Sequence, residues 1–236
     1  MAVLAARRLS TWCLQVAGNS LKPLFHLDIL LRPGKRYRIP AHSPPLLKSR
    51  AARRIPRIVW LTNYTRDVTL AVYVNYLFNR TIAPTHEFRF CGDEECEAFV
   101  AKHHPEFLET YLSLQIGAAK ADLWRVLVLF THGGIYLDVD AAFSWPPEYL
   151  LTADQSELFV RTKDGRLTNY FLAAKTAHPV LAAIADKIVE NITSNTIASV
   201  YDMTGPTVID RMAGNASVRI EPFRVVCRQG QFTRKS

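Results

Sequence analysis

Two aspartates, Asp138 and Asp140, follow the short apolar run IYL and are separated by a single valine. Side chains two apart in an extended chain project to the same side, so these two carboxylates are predicted to lie together. Neighbouring carboxylates repel each other at low dielectric unless a proton or a cation bridges them. Mg²⁺ and Mn²⁺ suit such oxygen ligands and take further ligands from phosphorylated substrates. The pair therefore predicts a divalent metal site that holds a diphosphate.

A second charged pair, Asp122 and Arg125, precedes the aspartates within QIGAAKADLWRVLVLFTHGG, which is predicted to be a long helix. Residues three apart share a helix face. Because the other positions of this helix are mostly apolar, a buried or cleft-facing pair is favoured over a solvated surface ion pair. Gly133 is the predicted C-cap, and Gly133 and Gly134 together permit a tight turn into the next strand.

Strand-like and helix-like segments alternate along the chain. Strands are predicted within IPRIVWLTN (55–63), HEFRFCG (86–92), IYLDVD (135–140) and SELFVRT (156–162). Helices are predicted at 67–80, with Asp67 as N-cap, and at 93–107, 115–134, 178–194 and 204–214. This alternation predicts a single α/β domain, with an open, mostly parallel sheet and helices on both faces. Ligands of such sheets bind beyond the carboxyl ends of the strands, where the two aspartates lie.

The positive charge of the chain is concentrated before residue 58. Lys and Arg exceed Asp and Glu by 8 overall, yet residues 1–57 hold 12 basic residues and one acid, and residues 58–236 hold 17 basic and 20 acidic ones. Residues 1–54 are predicted to be a basic arm with one short helix, which associates with an anionic membrane surface or remains a solvated tail. Residues 55–236 form the predicted domain. Nucleic-acid binding is disfavoured because the domain has no basic stripe.

The cellular compartment of the protein is predicted mainly from the targeting signals and membrane spans that the sequence lacks. The sequence contains no run of about 18 apolar residues, so no membrane-spanning helix is predicted. The N-terminal residues lack the apolar centre and cleavage site of a secretory signal, although their composition also resembles a mitochondrial presequence. The four scattered cysteines are expected to be free thiols, with a Cys91–Cys96 pair as the alternative. We therefore expect a cytoplasmic protein, peripheral on the inner membrane face, or a Golgi-lumen protein in a eukaryote.

The segment AAKADLWRVLVLFTHGGIYLDVD resembles the core signature of the DXD-containing glycosyltransferases. This family includes outer-chain mannosyltransferases, capsular-polysaccharide glycosyltransferases and large glucosylating toxins. Further similarity lies in the first strand (55–63), in 84–107, in 168–188 and in MTGPTVI (203–209), so that it covers about residues 55 to 212. The resemblance implies a GT-A fold and metal-dependent transfer of a sugar, with retention, from a UDP- or GDP-sugar donor to a saccharide or lipid-linked acceptor.

The resemblance also implies roles for individual residues. Of Asp138 and Asp140, one would contact Mn²⁺ or Mg²⁺ directly, and the other would contact either the metal or the ribose and sugar of the donor. Asp122 would contact donor sugar hydroxyls, and Arg125 would hold the sugar or phosphate side. Leu61 and Thr62 would line the nucleotide base. Asn169 would lie near the acceptor, or would be an ordinary turn residue.

Two departures from the family pattern leave alternatives open. Val59 and Trp60 stand where the family often has histidine, which affects the base contacts. No histidine follows His178, so a further metal or phosphate contact would come from Asp210 or a backbone carbonyl, or the C-terminal part is absent or replaced.

Two other classes of protein also remain. One is a phosphohydrolase of the haloacid-dehalogenase type, which needs a downstream lysine and a second acidic pair. The other is a degenerate transferase that only binds.

Overall fold

Short runs rich in β-branched and aromatic residues form the strands, and longer segments with apolar residues at helical spacing form the helices. The computed structural model describes residues 2–194, 196–197 and 199–233. Its strands are β1 (Tyr37–Arg38), β2 (His42–Ser43), β3 (Ile58–Thr62), β4 (Asp67–Val68), β5 (Glu87–Cys91), β6 (Gly134–Leu137), β7 (Ala141–Phe143), β8 (Glu157–Arg161), β9 (Leu167–Ala174), β10 (Ile220–Pro222) and β11 (Cys227–Gln229). Its α-helices are α1 (Ala2–Leu31), α2 (Leu70–Ile82), α3 (Asp93–His103), α4 (Leu108–Ser113), α5 (Gly117–His132), α6 (Pro147–Leu150), α7 (Pro179–Ser194), α8 (Val200–Met203), α9 (Pro206–Gly214) and α10 (Phe223–Val226).

Seven of these strands form the central sheet, in the order β10-β8-β9-β6-β3-β5-β2. Five of them run in one direction, while β9 and β2 run against it. Buried apolar clusters cover both faces, one with α5, α7 and α9 and the other with α2. The predicted single α/β domain with a mostly parallel sheet is confirmed. Because β3, β5 and β6 are parallel neighbours, their carboxyl ends meet at one edge.

The connection from α5 to β6 is a two-glycine turn, as the sequence predicts. Gly133 has φ 66° and Gly134 has φ 107°, a region that side-chain-bearing residues rarely adopt. A Cβ on Gly134 would also lie 2.6 Å from the carbonyl oxygen of Ile58. The indole nitrogen of Trp60 donates to the carbonyl of Gly133 at 2.9 Å. The glycines therefore let β6 lie directly against β3.

Several elements differ from the sequence prediction. The helix predicted over 93–107 ends at His103, and a separate 3₁₀ turn follows at Pro105–Phe107. Helix α2 begins after Thr69 rather than at Asp67, because Asp67 lies in β4 and accepts a hydrogen bond from Arg38 at 2.8 Å. Strand β6 ends at Leu137, so the aspartates lie in a turn instead of in the strand. Strand β9 was not predicted; its eight residues are all buried between β6 and β8, and a strand buried on both faces shows no alternation.

The region predicted to be a basic arm also differs from the expectation of one short helix. Helix α1 is 30 residues long, and Phe25 on it packs with Phe232 close to the end of the described chain. The side-chain amide of Gln231 donates to the carbonyl of Gln15 at 3.3 Å. Strands β1 and β2 pair with β4 and β5, so this region is joined to the sheet before residue 54. Within the described residues, no helix combines the length and apolarity needed to cross a membrane.

Candidate functional site

The two aspartates lie in a tight turn between β6 and β7, closed by a hydrogen bond from the amide of Ala141 to the carbonyl of Asp138 (2.8 Å). Two buried asparagines of α2 hold the backbone of this turn. Asn75 donates to the carbonyls of Val139 and Ala141 at 2.9 and 2.8 Å, and Asn79 donates to Ala141 at 2.8 Å. An amide side chain four residues after another shares its helix face, which is why both reach the same turn.

Strand β11 supports the turn from its other side. It pairs with β7, opposing Gln229 to Ala141, and the amide of Gly230 donates to the carbonyl of Asp140 at 2.9 Å. The side-chain amide of Gln229 then lies beside the first aspartate, 3.3 Å from Oδ2 of Asp138. The turn is therefore fixed by two parts of the chain that lie far apart in sequence.

Asp138 is held by three side chains. Its Oδ1 accepts hydrogen bonds from the hydroxyl of Tyr136 at 2.8 Å and from Nη1 of Arg125 at 3.1 Å, while Oδ2 faces Gln229. Tyr136 is two residues earlier on β6, so it projects to the same side of the strand. One carboxylate oxygen is thus committed to the protein, and the other borders the cavity described below.

Arg125 is the buried positive charge of the site. Besides Asp138, it pairs with Oδ1 of Asp122 at 3.1 Å and donates to the backbone carbonyl of Asn169 at 2.7 Å. Its guanidinium lies 4.3 Å from the ring centroid of Tyr136, a cation–π contact. Burial lowers the pKa of Arg125, but the neighbouring Tyr136, Asp138 and Asp122 outweigh burial and raise that pKa overall. One guanidinium therefore pairs with two carboxylates, and one negative charge is left over.

Asp122 and Asn169 lie beneath the site. The carboxylate of Asp122 accepts hydrogen bonds from the Asn169 amide at 2.7 Å and from the Thr204 hydroxyl at 2.9 Å. Burial raises the pKa of Asp122, opposed by the charge of Arg125 and by these hydrogen bonds. The buried pair expected from the spacing is therefore present. The side chain of Asn169 is turned toward this carboxylate, and its predicted role near an acceptor stays a prediction.

A cavity of about 300 Å³ opens at the carboxyl ends of β3 and β6. Its lining residues come from six segments of the chain and are Thr62, Asn63, Tyr64, Asp93, Cys96, Tyr111, Lys120, Ala121, Arg125, Tyr136, Asp138, Val139, Asp140 and Gln229. Three carboxylates thus face two cationic side chains. A diphosphate entering this cavity would meet more negative than positive charge, unless a cation enters with it.

The residues expected to bind a nucleotide base divide between the cavity and the core. Thr62 lines the cavity and donates to the carbonyl of Cys91 at 2.9 Å, whereas Leu61 is buried in the core. Val59 and Trp60 are likewise buried and do not line this cavity. Asp210 accepts a hydrogen bond from the amide of Leu167 at 2.8 Å and is also absent from the lining.

The oxygen ligands available at the turn suit a hard divalent cation. Among the described residues, no three His, Cys, Asp or Glu side chains come together as a metal-binding group. Mg²⁺ and Mn²⁺ do not need such a group, because they accept one or two carboxylates with waters and phosphate oxygens. Asp138 and Asp140 both line the cavity, with Gln229 beside them. A half-turn of the Gln229 amide would present its oxygen as a further ligand.

Sequence reasoning missed the residues that support the turn. Tyr136 was detectable, since its two-residue spacing from Asp138 places both on one side of β6. Asn75 and Asn79 had a weaker signal, two amides four apart in an apolar helix. Gln229 had no local signal, because only the pairing of β11 with β7 brings it to the site.

Comparison with known proteins defines the class of this fold. The structure aligns with one titled PaToxG Glycosyltransferase, with a TM-score of 0.52 and 14% identity, over 86% of this chain and 78% of that one. At this identity the likeness concerns the fold alone. The fold is that of the GT-A glycosyltransferases, as predicted.

The sequence comparisons agree with the fold. Residues 74–157 match the family model described as glycosyltransferase sugar-binding region containing DXD motif, which confirms the resemblance. Over 139 residues the chain is 27% identical to inositol phosphoceramide mannosyltransferase 3 of Schizosaccharomyces pombe, covering 58% of this chain and 38% of that protein. Over 209 residues it is 25% identical to initiation-specific alpha-1,6-mannosyltransferase of the same yeast, covering 72% of this chain and 51% of that protein. The chain thus spans about half or less of the length of these relatives.

Proposed function

We propose that this protein is a retaining glycosyltransferase that moves a sugar from a UDP- or GDP-sugar to a saccharide or lipid-linked acceptor, with Mn²⁺ or Mg²⁺ at Asp138 and Asp140. The observation that carries the proposal is the rigid turn 138–140, which presents two carboxylates to a cavity beside the buried Arg125. The family match at residues 74–157 includes this turn and most of the residues that hold it.

The protein groups have separate tasks in the proposed reaction. A divalent metal bound at the turn would neutralise the departing nucleoside diphosphate as a Lewis acid. Arg125 supplies a fixed positive charge at the cavity, which needs no reorganisation when negative charge develops on the leaving group. Asp122, Asn169 and Tyr136 hold that guanidinium in place. Thr62 borders the part of the cavity proposed for the base. The acceptor oxygen would form a bond to the anomeric carbon on the face from which the nucleoside diphosphate departs, and the hydroxyl proton would pass to that departing diphosphate.

The phosphohydrolase alternative requires an aspartate of the pair to act as a nucleophile. Oδ1 of Asp138 accepts hydrogen bonds from both Tyr136 and Arg125, which stabilise its charge and reduce its nucleophilicity. The same contacts favour the transferase, in which this carboxylate has only to bind. The degenerate, binding-only transferase remains a second outcome of the experiment below.

The test replaces Asp140 by Asn and, separately, Asp138 by Asn, and measures sugar transfer and hydrolysis of UDP- and GDP-sugars with Mn²⁺ and Mg²⁺. Each variant should lose about 10³-fold in turnover, as when a group that stabilises the leaving charge is removed. Each should also lose the rise in melting temperature that a donor with metal gives the wild type.

The control is Asp186→Asn, an exposed carboxylate on α7 that should leave both readouts unchanged. Full turnover in either site variant would overturn the metal assignment. A donor-induced thermal shift without turnover in the wild type would favour the binding-only protein, and phosphate release from a simple ester would favour the phosphohydrolase.

We also propose that the basic residues 1–54 associate with an anionic membrane surface, on the cytoplasmic face or, in a eukaryote, in the Golgi lumen. Lys and Arg outnumber acids 11 to 1 in this region, and α1 exposes Leu24, Leu27, Leu30 and Leu31. An amphipathic basic segment of this kind favours anionic lipids. Salt-sensitive partition of the full chain onto anionic vesicles tests the proposal, and equal partition onto neutral vesicles contradicts it.

A further inference from the structure

A second cavity, of about 420 Å³, lies at the opposite end of the sheet. Its lining residues come from the segment before β3 and from the start of β5, and are Pro45, Lys48, Ser49, Arg50, Arg53, Ile55, Pro56, Arg57, Thr85 and Glu87. Four of the ten are cationic and one is acidic. We refer to it as the basic cavity.

Two guanidinium groups of the basic cavity share one carboxylate, Glu148, which is not itself a lining residue. Glu148 pairs with Arg53 at 2.8 Å and with Arg57 at 3.1 Å, and it accepts a hydrogen bond from Thr85 at 2.8 Å. Burial raises the pKa of Glu148, but these hydrogen bonds and the charge of Arg53 outweigh burial and lower it. An ionised Glu148 therefore cancels only one of two positive charges.

The remaining charges of the basic cavity add to this surplus. Lys48 and Arg50 have no ion-pair or hydrogen-bond partner for their side chains in the part of the chain that the structure describes. The one acid of the lining, Glu87, is paired with Arg89 at 2.8 Å outside the cavity. Three positive charges are thus left without a counterion around one cavity, together with the hydroxyl of Ser49. Like charges held this close repel each other unless an anion lies between them.

The basic cavity is separate from the cavity at the carboxyl ends of β3 and β6, which we call the donor cavity. Strand β3 connects them: Ile55–Arg57, which directly precede it, line the basic cavity, and Thr62 at its end lines the donor cavity. Five residues of strand span about 16 Å. The two lining sets share no residue, so the basic cavity cannot contribute to the diphosphate site at the turn.

We propose that the basic cavity is a second anion site, which binds a phosphate ester through Lys48, Arg50 and the Arg53–Arg57 pair. The guanidinium groups suit two oxygens of a phosphate at once, and the flexible Lys48 supplies a point charge. The volume accommodates a phosphate with a small polar group attached, as in a sugar phosphate or a lipid headgroup. This proposal does not depend on the proposed transferase activity.

The test measures binding of glycerol 3-phosphate to the full-length protein by calorimetry at constant ionic strength, with chloride as the balancing anion. The double variant Lys48→Gln/Arg50→Gln should bind roughly 30-fold more weakly, since each cation beside an anionic group contributes about fivefold. Both side chains are exposed and without described partners, so the variant should keep the wild-type melting temperature.

The matched control is Lys102→Gln/Arg211→Gln, which removes two exposed cations from α3 and α9, outside the lining. It should bind glycerol 3-phosphate as the wild type does. The proposal is overturned if the wild type binds neither this probe nor the vesicles described next, or if both double variants lose affinity equally.

A second arm identifies the source of the phosphate. Sedimentation with phosphatidylcholine vesicles, with and without phosphatidic acid, measures binding to a membrane-borne phosphate. If phosphatidic acid increases sedimentation of the wild type and the control, but not of Lys48→Gln/Arg50→Gln, the site takes a lipid headgroup. If only glycerol 3-phosphate discriminates between the variants, the site takes a soluble ester. Both results support an anion site, and neither requires donor or turnover.

Discussion

The two ends of β3 carry cavities with opposite charge balance. At its carboxyl end one guanidinium, Arg125, lies between two carboxylates, Asp122 and Asp138. At its amino end one carboxylate, Glu148, lies between two guanidinium groups. The first arrangement leaves negative charge that a metal cation can satisfy, whereas the second leaves positive charge that an anion can satisfy. The two clusters contain the same kinds of ionic group in inverse numbers, so they favour ligands of opposite charge.

The largest expected effect is on stability, when one guanidinium is removed at the carboxyl end of β3 and the same change is made at its amino end for comparison. Arg125→Leu leaves the buried Asp122 and the half-buried Asp138 without an ion-pair partner, and should lower the free energy of unfolding by about 3–5 kcal/mol. Arg57→Leu leaves Glu148 still paired with Arg53, and should cost only about 1 kcal/mol. Urea unfolding of both variants measures the contrast. Equal losses would mean that the charge balance does not distinguish the two ends.

An effect of intermediate size on stability is expected when the pH is lowered, and it arises at His86, near Arg53 and Arg57. Burial lowers the pKa of His86 from 6.5 to about 4, helped by Arg57 and Arg53 and opposed by Glu148. Between these values the unfolded chain binds a proton that the native chain does not. The free energy of unfolding should therefore fall by about 3 kcal/mol as the pH decreases from about 6.5 to 4.

The measurement for His86 is a set of urea titrations across that pH range, for the wild type and for His86→Gln. The variant lacks the titrating group and should lose most of the slope between pH 4 and 6.5. An unchanged slope in His86→Gln would assign the acid sensitivity to other groups. Histidine NMR of the native protein gives an independent reading, because His86 should remain neutral down to about pH 4.

The smallest expected effect is at Gln229. Gln229→Ala removes the amide beside Asp138 while leaving the β11 backbone in place, and should weaken metal-dependent donor binding by about 10-fold, a typical loss for a group supporting a metal ligand. Donor titrations at several Mn²⁺ concentrations measure it. The exposed Gln115→Ala is the control and should bind as the wild type does. A matching loss in both variants would remove Gln229 from the site.

Short-range patterns predicted much of the candidate site, and long-range pairing explains what they missed. Asp122 with Arg125, and the turn with Asp138 and Asp140, are each encoded within a few residues, so that helix and strand periodicity suffices. The concentration of basic residues in 1–54 was also apparent from the sequence, but their composition indicated an arm outside the domain. Its residues instead pair with β4 and β5 and build a cavity, which depends on partners up to about a hundred residues away.

Strand β9 shows the same limit for the fold. All eight of its residues are buried, so no alternation of polar and apolar side chains marks it, and its antiparallel position between β6 and β8 depends on the sheet as a whole. Gln229 is a site residue for the same reason. The residues around Gln229 in the sequence give no indication that it lies beside Asp138. Only the register of β11 against β7 brings these two residues together.

The pairing of β11 with β7 has a consequence for biosynthesis. During synthesis the Asp138–Asp140 turn leaves the ribosome about 90 residues before the strand that supports it, and loop closure over that length is slow compared with local folding. Helix α1 is synthesised before this turn, so the interval before its packing partner Phe232 appears is longer still. In a nascent chain the Asp138–Asp140 turn therefore lacks the support of Gln229 and Gly230 until β11 has been synthesised.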